Sequence, residues 1–222
     1  MKISKADFRG DPNVGLYGVV TDRFAIFPEE NMDVSCFNTG VIYSTVAQTD
    51  LCGIFISANS HGIIIPRIIT DREEKRIRAG IKKIGKDINI LKLDINETCL
   101  GNLILCNDNA AIISPALEKY SDSISKCLKV PVVTGTVLDL EIIGSLCIAT
   151  NRGFLLTING EEGEFEFLKK NLKVSGDIGS VNFGGTYPKS GILANSSGAL
   201  IGKLTTGPEI ARIEEALGFL EE

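Results

Sequence analysis

A five-fold internal repeat restricts the fold of this chain more than any other property of its sequence. Five segments share one pattern: an apolar run ending at Asn or Thr, a polar residue, a small residue, and a second apolar run that usually closes on Pro. The copies lie at residues 18–28, 55–66, 103–115, 146–156 and 192–201, with Asn/Thr anchors at 21, 59, 107, 150 and 195. Intervals of 38, 48, 43 and 45 residues suit repeats that are each one supersecondary unit burying its faces against neighbours.

Each copy predicts a β-hairpin. Asn and Asp bond to nearby turn amides and tolerate left-handed backbone. Gly at the fourth turn position is expected to accept positive φ. A further glycine stands six residues before four of the anchors (Gly15, Gly53, Gly101 and Gly144), where Lys189 stands in the fifth copy. It is expected to mark the start of a strand.

Helices are predicted between the hairpins. Thr70-Asp71-Arg72-Glu73 reads as a capping box ahead of Ile77, Ile81 and Ile84. Ser114-Pro115 opens a helix ending near Leu128, and Asn159 to Glu162 opens one with Phe165, Leu168 and Leu172 on a face. Thr206-Gly207-Pro208-Glu209 opens the last, with Ile210, Ile213, Leu217 and Leu220 inward. Residues 29–37 have room only for a short helix. Further strands are expected at 41–43, 88–91, 130–134 and 172–174. The unit is hairpin, helix, strand, and at about 44 residues it cannot bury its own faces. An open array would need polar caps, which the sequence lacks. A closed ring of ββαβ-like units is the expected α/β (α+β) architecture. Residues 2–8 are expected to supply the strand missing from the first unit. A single domain over 1–222 follows, with pseudo-repeats near 1–38, 39–85, 86–130, 131–173 and 174–222.

Composition narrows the function. The net charge is −5, which opposes a general electrostatic grip on nucleic acid. Any RNA contact has to be local, and residues 72–86 offer a candidate: seven cations against Glu73 and Glu74. No run of 18 apolar residues occurs, so no membrane span is expected. The first eight residues lack the apolar stretch of a signal peptide, and a cytoplasmic location is expected. Six cysteines are scattered without a C-x-x-C pair, and His61 is the one histidine. Buried thiols in a reducing compartment are expected, with no metal and no cofactor.

A ring of five ββαβ-like units resembles the pentein fold, a closed five-bladed α-β propeller. Two function classes occupy it: the amidine-processing enzymes and the translation initiation factor six family. The stretch from Thr98 to Asp108 resembles the second family's A-L-G-N…N-D motif. Gly144-Ser145 with Thr150-Asn151-Arg152-Gly153 resembles its V-G-S…T-N-x-G motif. Residues 191–202 followed by 205–219 are similar to the archaeal C-terminal signature, and Pro12-Asn13-Val14-Gly15 and Asn59-Ser60-His61-Gly62 match as well. Lys189 departs from the family's usual Gly, and Thr157-Ile158 from its usual His-Pro. The longer tail of eukaryotic members is not expected.

The resemblance implies an initiation factor that binds the large ribosomal subunit, through ribosomal protein and local ribosomal RNA, and sterically blocks the small subunit. It further implies a part in late large-subunit biogenesis. Release would be assisted by a GTPase and a Shwachman–Bodian–Diamond family partner. The free protein is expected to be a monomer and not an enzyme. The alternative is a pentein-type guanidine- or amidine-processing hydrolase or transferase, which needs a nucleophilic Cys with a His. Candidate ribosome contacts lie on the hairpin turns: Asn107 first, with Asp108 and Asn109, then Asn59, Ser60, His61, Asn151, Arg152, Asn195 and Ser196.

Overall fold

The computed structural model describes residues 2–30 and 32–220. The chain opens with β1 (Ile3–Ala6), a 3-10 turn at Val14–Leu16, the hairpin β2 (Val19–Val20) and β3 (Phe24–Phe27), a 3-10 turn at Ser35–Phe37, and β4 (Gly40–Tyr43). Next come α1 (Cys52–Phe55), β5 (Ser57–Ala58), β6 (Gly62–Pro66), α2 (Asp71–Lys83) and β7 (Asn89–Leu93). The third passage is α3 (Leu100–Leu103), β8 (Ile104–Cys106), β9 (Ala111–Ile113), a 3-10 stretch at Pro115–Tyr120, α4 (Ser121–Leu128) and β10 (Val132–Thr134). The fourth is α5 (Ile143–Leu146), β11 (Cys147–Ala149), β12 (Gly153–Thr157), α6 (Glu162–Leu172) and β13 (Ser175–Gly179). The last is α7 (Pro188–Gly191), β14 (Ile192–Ala194), β15 (Ala199–Gly202) and α8 (Gly207–Ala216).

The strands form five three-stranded sheets: β2-β3-β4, β5-β6-β7, β8-β9-β10, β11-β12-β13 and β14-β15-β1. Each joins an antiparallel hairpin to a parallel strand contributed by the following segment. The run at residues 2–8 does form a strand, but it completes the sheet of the last hairpin, with Ile3 opposite Ala199 and Ala6 opposite Gly202. The central strands β3, β6, β9, β12 and β15 are buried along their whole length. Packing on both faces explains their unbroken apolar runs. The core is divided into clusters that bridge successive sheets. One joins Phe24 and Ile26 to Ile42, Ile63, Ile65 and the α2 residues Ile77 and Ile81. Another joins Phe27 and Phe37 to Leu193 and Leu200, so the last segment packs on the first.

The predicted helix starts at Thr70 and Thr206 are capping boxes, closed by Glu73 and Glu209. The expected strand at 172–174 lies further on. Leu172 ends α6, Lys173 takes φ +57° as a left-handed cap, and β13 begins at Ser175. Leu220 is exposed, since α8 ends at Ala216 and Gly218 turns the chain at φ +70°.

The capping glutamates also tie segments together. Glu73 accepts from Thr45 Oγ1 (2.7 Å), Gln48 N (2.8 Å) and Ala47 N (3.0 Å), and both Ala47 and Gln48 are left-handed. Glu209 accepts from Ser180 Oγ (2.7 Å), Gly184 N (2.9 Å) and Phe183 N (3.1 Å) in the equivalent turn. Burial raises both carboxyls, but these bonds outweigh it and hold each at about 2, below the ordinary 4.5. A depressed folded pKa gives stability that is complete above the unfolded value and is lost as pH falls from about 4.5 toward 2. Urea midpoints measured across that window should fall less steeply in a Glu73→Gln/Glu209→Gln variant than in the wild type. Identical slopes would remove these two groups from the acid response.

Candidate functional site

The five hairpin turns converge. A depression of about 20 Å³ is lined by the anchors Thr21, Asn59, Asn107, Thr150 and Asn195 together with residues beside them. Every anchor N–H donates to the carbonyl of the fourth turn residue, at 2.8–3.1 Å. The anchor's side-chain oxygen then accepts from the third and fourth amides. For Asn107 these are Asn109 N (2.9 Å) and Ala110 N (3.0 Å), and for Thr150 they are Arg152 N (3.1 Å) and Gly153 N (3.2 Å). Short polar side chains are needed because the bonds are local.

The fourth-position glycines do not take positive φ, contrary to the turn-based expectation. They answer to packing: an added Cβ would stand 2.3 Å from Cys127 O at Gly62, 2.0 Å from Ala216 O at Gly153 and 2.6 Å from Lys2 O at Gly198.

Three anchors do more. Asn59 Nδ2 donates to Asn107 O (3.1 Å) and Leu128 O (2.9 Å). Asn107 Nδ2 donates to Thr150 O (3.1 Å) and Leu172 O (3.0 Å), and Asn195 Nδ2 to Thr21 O (3.0 Å) and Phe37 O (2.9 Å). Each asparagine thus clamps its turn to the next turn and to the end of the next helical segment. Thr21 and Thr150 cannot reach. At those two seams an arginine spans instead: Arg23 Nη1 to Ser60 O (3.1 Å) and Asp87 O (3.3 Å), and Arg152 Nη1 to Ser196 O (3.5 Å).

Asn59, Ser60, Asn107 and Asn195 are therefore buried, at 2–4% exposure, and their side chains cannot present themselves to a partner as expected of rim contacts. His61, Asp108, Asn109, Asn151 and Ser196 are partly exposed, and Arg152 is exposed. A second tier of bonds joins several of them. Ser60 N donates to Asp108 (2.8 Å) and Asp108 N to Asn151 (2.7 Å). Asn151 Nδ2 donates to Asp108 (2.6 Å) and Asp22 (2.7 Å), and Ser196 N to Asp22 (2.7 Å). Asp22 and Arg23 belong to this rim although sequence reasoning left them out. Their register behind Thr21 was the available signal.

Behind the turns lies a cavity of about 50 Å³ lined from all five hairpins, with Lys189 as its one charged lining residue. The lysine is carried by α7. Three of its lining residues, Gly101, Gly144 and Lys189, sit in α3, α5 and α7, which with α1 and the turn at Val14–Leu16 touch one another in a closed cycle. Here the second set of glycines is explained. An added Cβ on Gly53 would lie 2.0 Å from Gly15 O, on Gly101 2.1 Å from Gly53 O, on Gly144 2.3 Å from Gly101 O, and on Gly15 1.8 Å from Lys189 O. They sit in short helical turns, not at strand starts.

Five of the six thiols are shifted away from the thiolate form. Burial is the main cause that raises Cys52 to about 12 and Cys36, Cys106 and Cys127 to about 11. Sγ of Cys106 and of Cys127 donates to the backbone carbonyls Ala58 O (3.3 Å) and Ile63 O (3.6 Å). A nucleophilic cysteine requires the opposite shift. Among the described residues no group of three His, Cys, Asp or Glu is placed to hold a metal ion, and no helix is long and apolar enough to cross a membrane.

Compared with known proteins, the family model described as the eIF-6 family matches residues 3–216. A protein named Translation initiation factor 6 from Pyrococcus horikoshii is 36% identical over 227 residues, covering 99% of this chain and 100% of its own length. The protein of that name from Thermococcus onnurineus is 36% identical over 228 residues, covering 100% of both chains. The one from Methanocaldococcus jannaschii is 36% identical over 220 residues, covering 96% of each.

Proposed function

The chain belongs to the eIF-6 family, and from that premise we propose that it is a translation initiation factor that binds the large ribosomal subunit and sterically excludes the small one. The observation that carries this reading is 36% identity along the whole chain to a relative named Translation initiation factor 6. The cyclic succession of contacts supports a single pentein domain over 1–222, a closed five-bladed α-β propeller whose segments run near 1–38, 39–85, 86–130, 131–173 and 174–222. Such a body can act by occupying a surface, with no chemistry of its own. Its turn rim is the proposed docking face. His61, Asp108, Asn109, Asn151, Arg152 and Ser196, joined by Asp22 and Arg23, would touch ribosomal protein and RNA. Asn59, Ser60, Asn107 and Asn195 would shape that face from beneath. A part in late large-subunit maturation in the cytoplasm, with release by a GTPase and a Shwachman–Bodian–Diamond family partner, belongs to the same reading. So does a monomeric free state.

Sucrose gradients provide the test. Added protein should sediment with large subunits and deplete joined particles, and a His61→Glu variant with an unchanged thermal midpoint should do so less. Unaltered joining in the presence of excess wild-type protein would end the proposal.

A further inference from the structure

Helix α2 differs from its counterparts in a way the fold does not require. Its inner face carries Ile77, Ile81 and the capping Glu73, all buried. Gly80 closes against Ile42 of β4, where an added Cβ would stand 2.5 Å from Ile42 Cγ2. The outer face carries Arg72, Lys75, Arg76, Arg78, Lys82 and Lys83, every one exposed, and Lys86 follows beyond the helix. Residues 72–86 therefore hold seven cations and two acids, a net +5, which leaves −10 for the remainder of a chain of net −5.

The repeat supplies its own control. At the equivalent place α4 has Asp122 and Lys126, α6 has three glutamates against Lys169 and Lys170, and α8 has three glutamates against Arg212. A helix in this position folds equally well when neutral or acidic, so packing does not account for the charge. Nor does local pairing. Arg78 bonds Glu74 at 2.7 Å, whereas the other six cations have no acidic partner within 4 Å among the described residues.

The cations form two rows at helical spacing. Arg72, Arg76 and Lys83 lie along one and Lys75, Arg78 and Lys82 along the next. At 1.5 Å per residue the rows extend about 16 Å, the length of roughly five phosphates of one strand. Ala79 is the apolar residue between them. Protein interfaces need an apolar or aromatic centre and are depleted in lysine, so this face suits a polyanion.

We infer that the outer face of α2 is a second docking surface, separate from the turn rim, and that it grips the phosphate backbone of ribosomal RNA. This rests on the reading of the chain as a ribosome-binding factor. It places one RNA contact where cations neutralise phosphates without reading bases.

The test uses a Lys75→Gln/Arg76→Gln/Lys82→Gln/Lys83→Gln variant, with Lys169→Gln/Lys170→Gln on α6 as the control and thermal midpoints to verify folding. Binding to deproteinised large-subunit ribosomal RNA (filter retention) and to purified large subunits (cosedimentation) is followed from about 50 to about 300 mM KCl. Losing four phosphate contacts should make the log–log salt dependence shallower by about 3 and weaken binding at low salt roughly 10- to 100-fold. The control should change neither. Equal salt slopes for variant and wild type would overturn the inference. So would a loss confined to intact subunits, which would identify an acidic protein as the partner. Wild-type protein that binds free RNA with the steep slope, yet fails to bind subunits, would keep this surface and sink the proposed function instead.

Discussion

Replacing Gly101 by alanine should stop this chain from folding, or destabilise it by more than about 4 kcal/mol, a range reserved for a few severe mechanisms, of which overfilling a packed position is one. The added methyl would stand 2.1 Å from Gly53 O, 2.8 Å from Ile56 O and 2.9 Å from Ile54 O. All three are backbone atoms, so no side chain can swing aside. Movement of α3 would have to be passed to α1 and α5, which touch it on either side. Close-packed interiors transmit such a shift rather than absorb it. Gly163 is the comparison, because a Cβ there meets nothing within 4 Å. Alanine at 163 should leave stability within about 1 kcal/mol of the wild type or raise it. Soluble yield and urea unfolding of the two variants decide the matter. A Gly101→Ala protein with wild-type unfolding would mean that the packing of these short helices is loose.

Asn107→Ala should cost about 3–5 kcal/mol. It leaves Thr150 O without its donor, Leu172 O with Asn109 Nδ2 alone, and the amides of Asn109 and Ala110 without their acceptor. Buried polar groups orphaned in this way cost about 1–3 kcal/mol each, partly relieved by water. A loss of ribosome binding in such a variant would therefore report the shape of the rim, and not a severed contact. The two threonine seams suggest a rescue. Asn107→Thr should also be destabilising, but Asn107→Thr/Asn109→Arg recreates the Thr-Asp-Arg order of residues 21–23 and lets an arginine span the seam as Arg23 does. The added arginine should recover at least about 1 kcal/mol in a double-mutant cycle. Additive losses would show that the arginines are incidental to the seams they cross.

The parts of this fold that were legible in the sequence are those whose signals are local. Thr70 and Glu73 are three residues apart and cap each other whatever surrounds them. An anchor and its turn are four residues. What was not legible depends on partners far along the chain. Gly62 reads as a backbone-freedom glycine and Gly101 as the mark of a strand start. Their actual reason, a carbonyl from another segment where a Cβ would be, leaves no mark nearby. Asn107 looked like an exposed turn residue because asparagine is polar, yet its amide is directed inward to Thr150 and Leu172. Asp22 was passed over for the opposite reason. The first copy has the poorest turn signature, although its carboxylate bonds both Asn151 and Ser196.

The pairing of β1 with β15 also sets an order of events during synthesis. Four of the five sheets can be assembled as the chain emerges, each as soon as the next segment supplies its parallel strand. The fifth must wait: its outer strand is among the first residues made and its hairpin among the last. Until then the nascent chain carries an unsatisfied strand at one end and a growing sheet edge at the other, a template for pairing with a wrong neighbour. Pairing residues 3–6 with 199–202 carries the largest loop-closure cost of the five sheets. The last hairpin is thus the piece on which the first strand depends for its sheet.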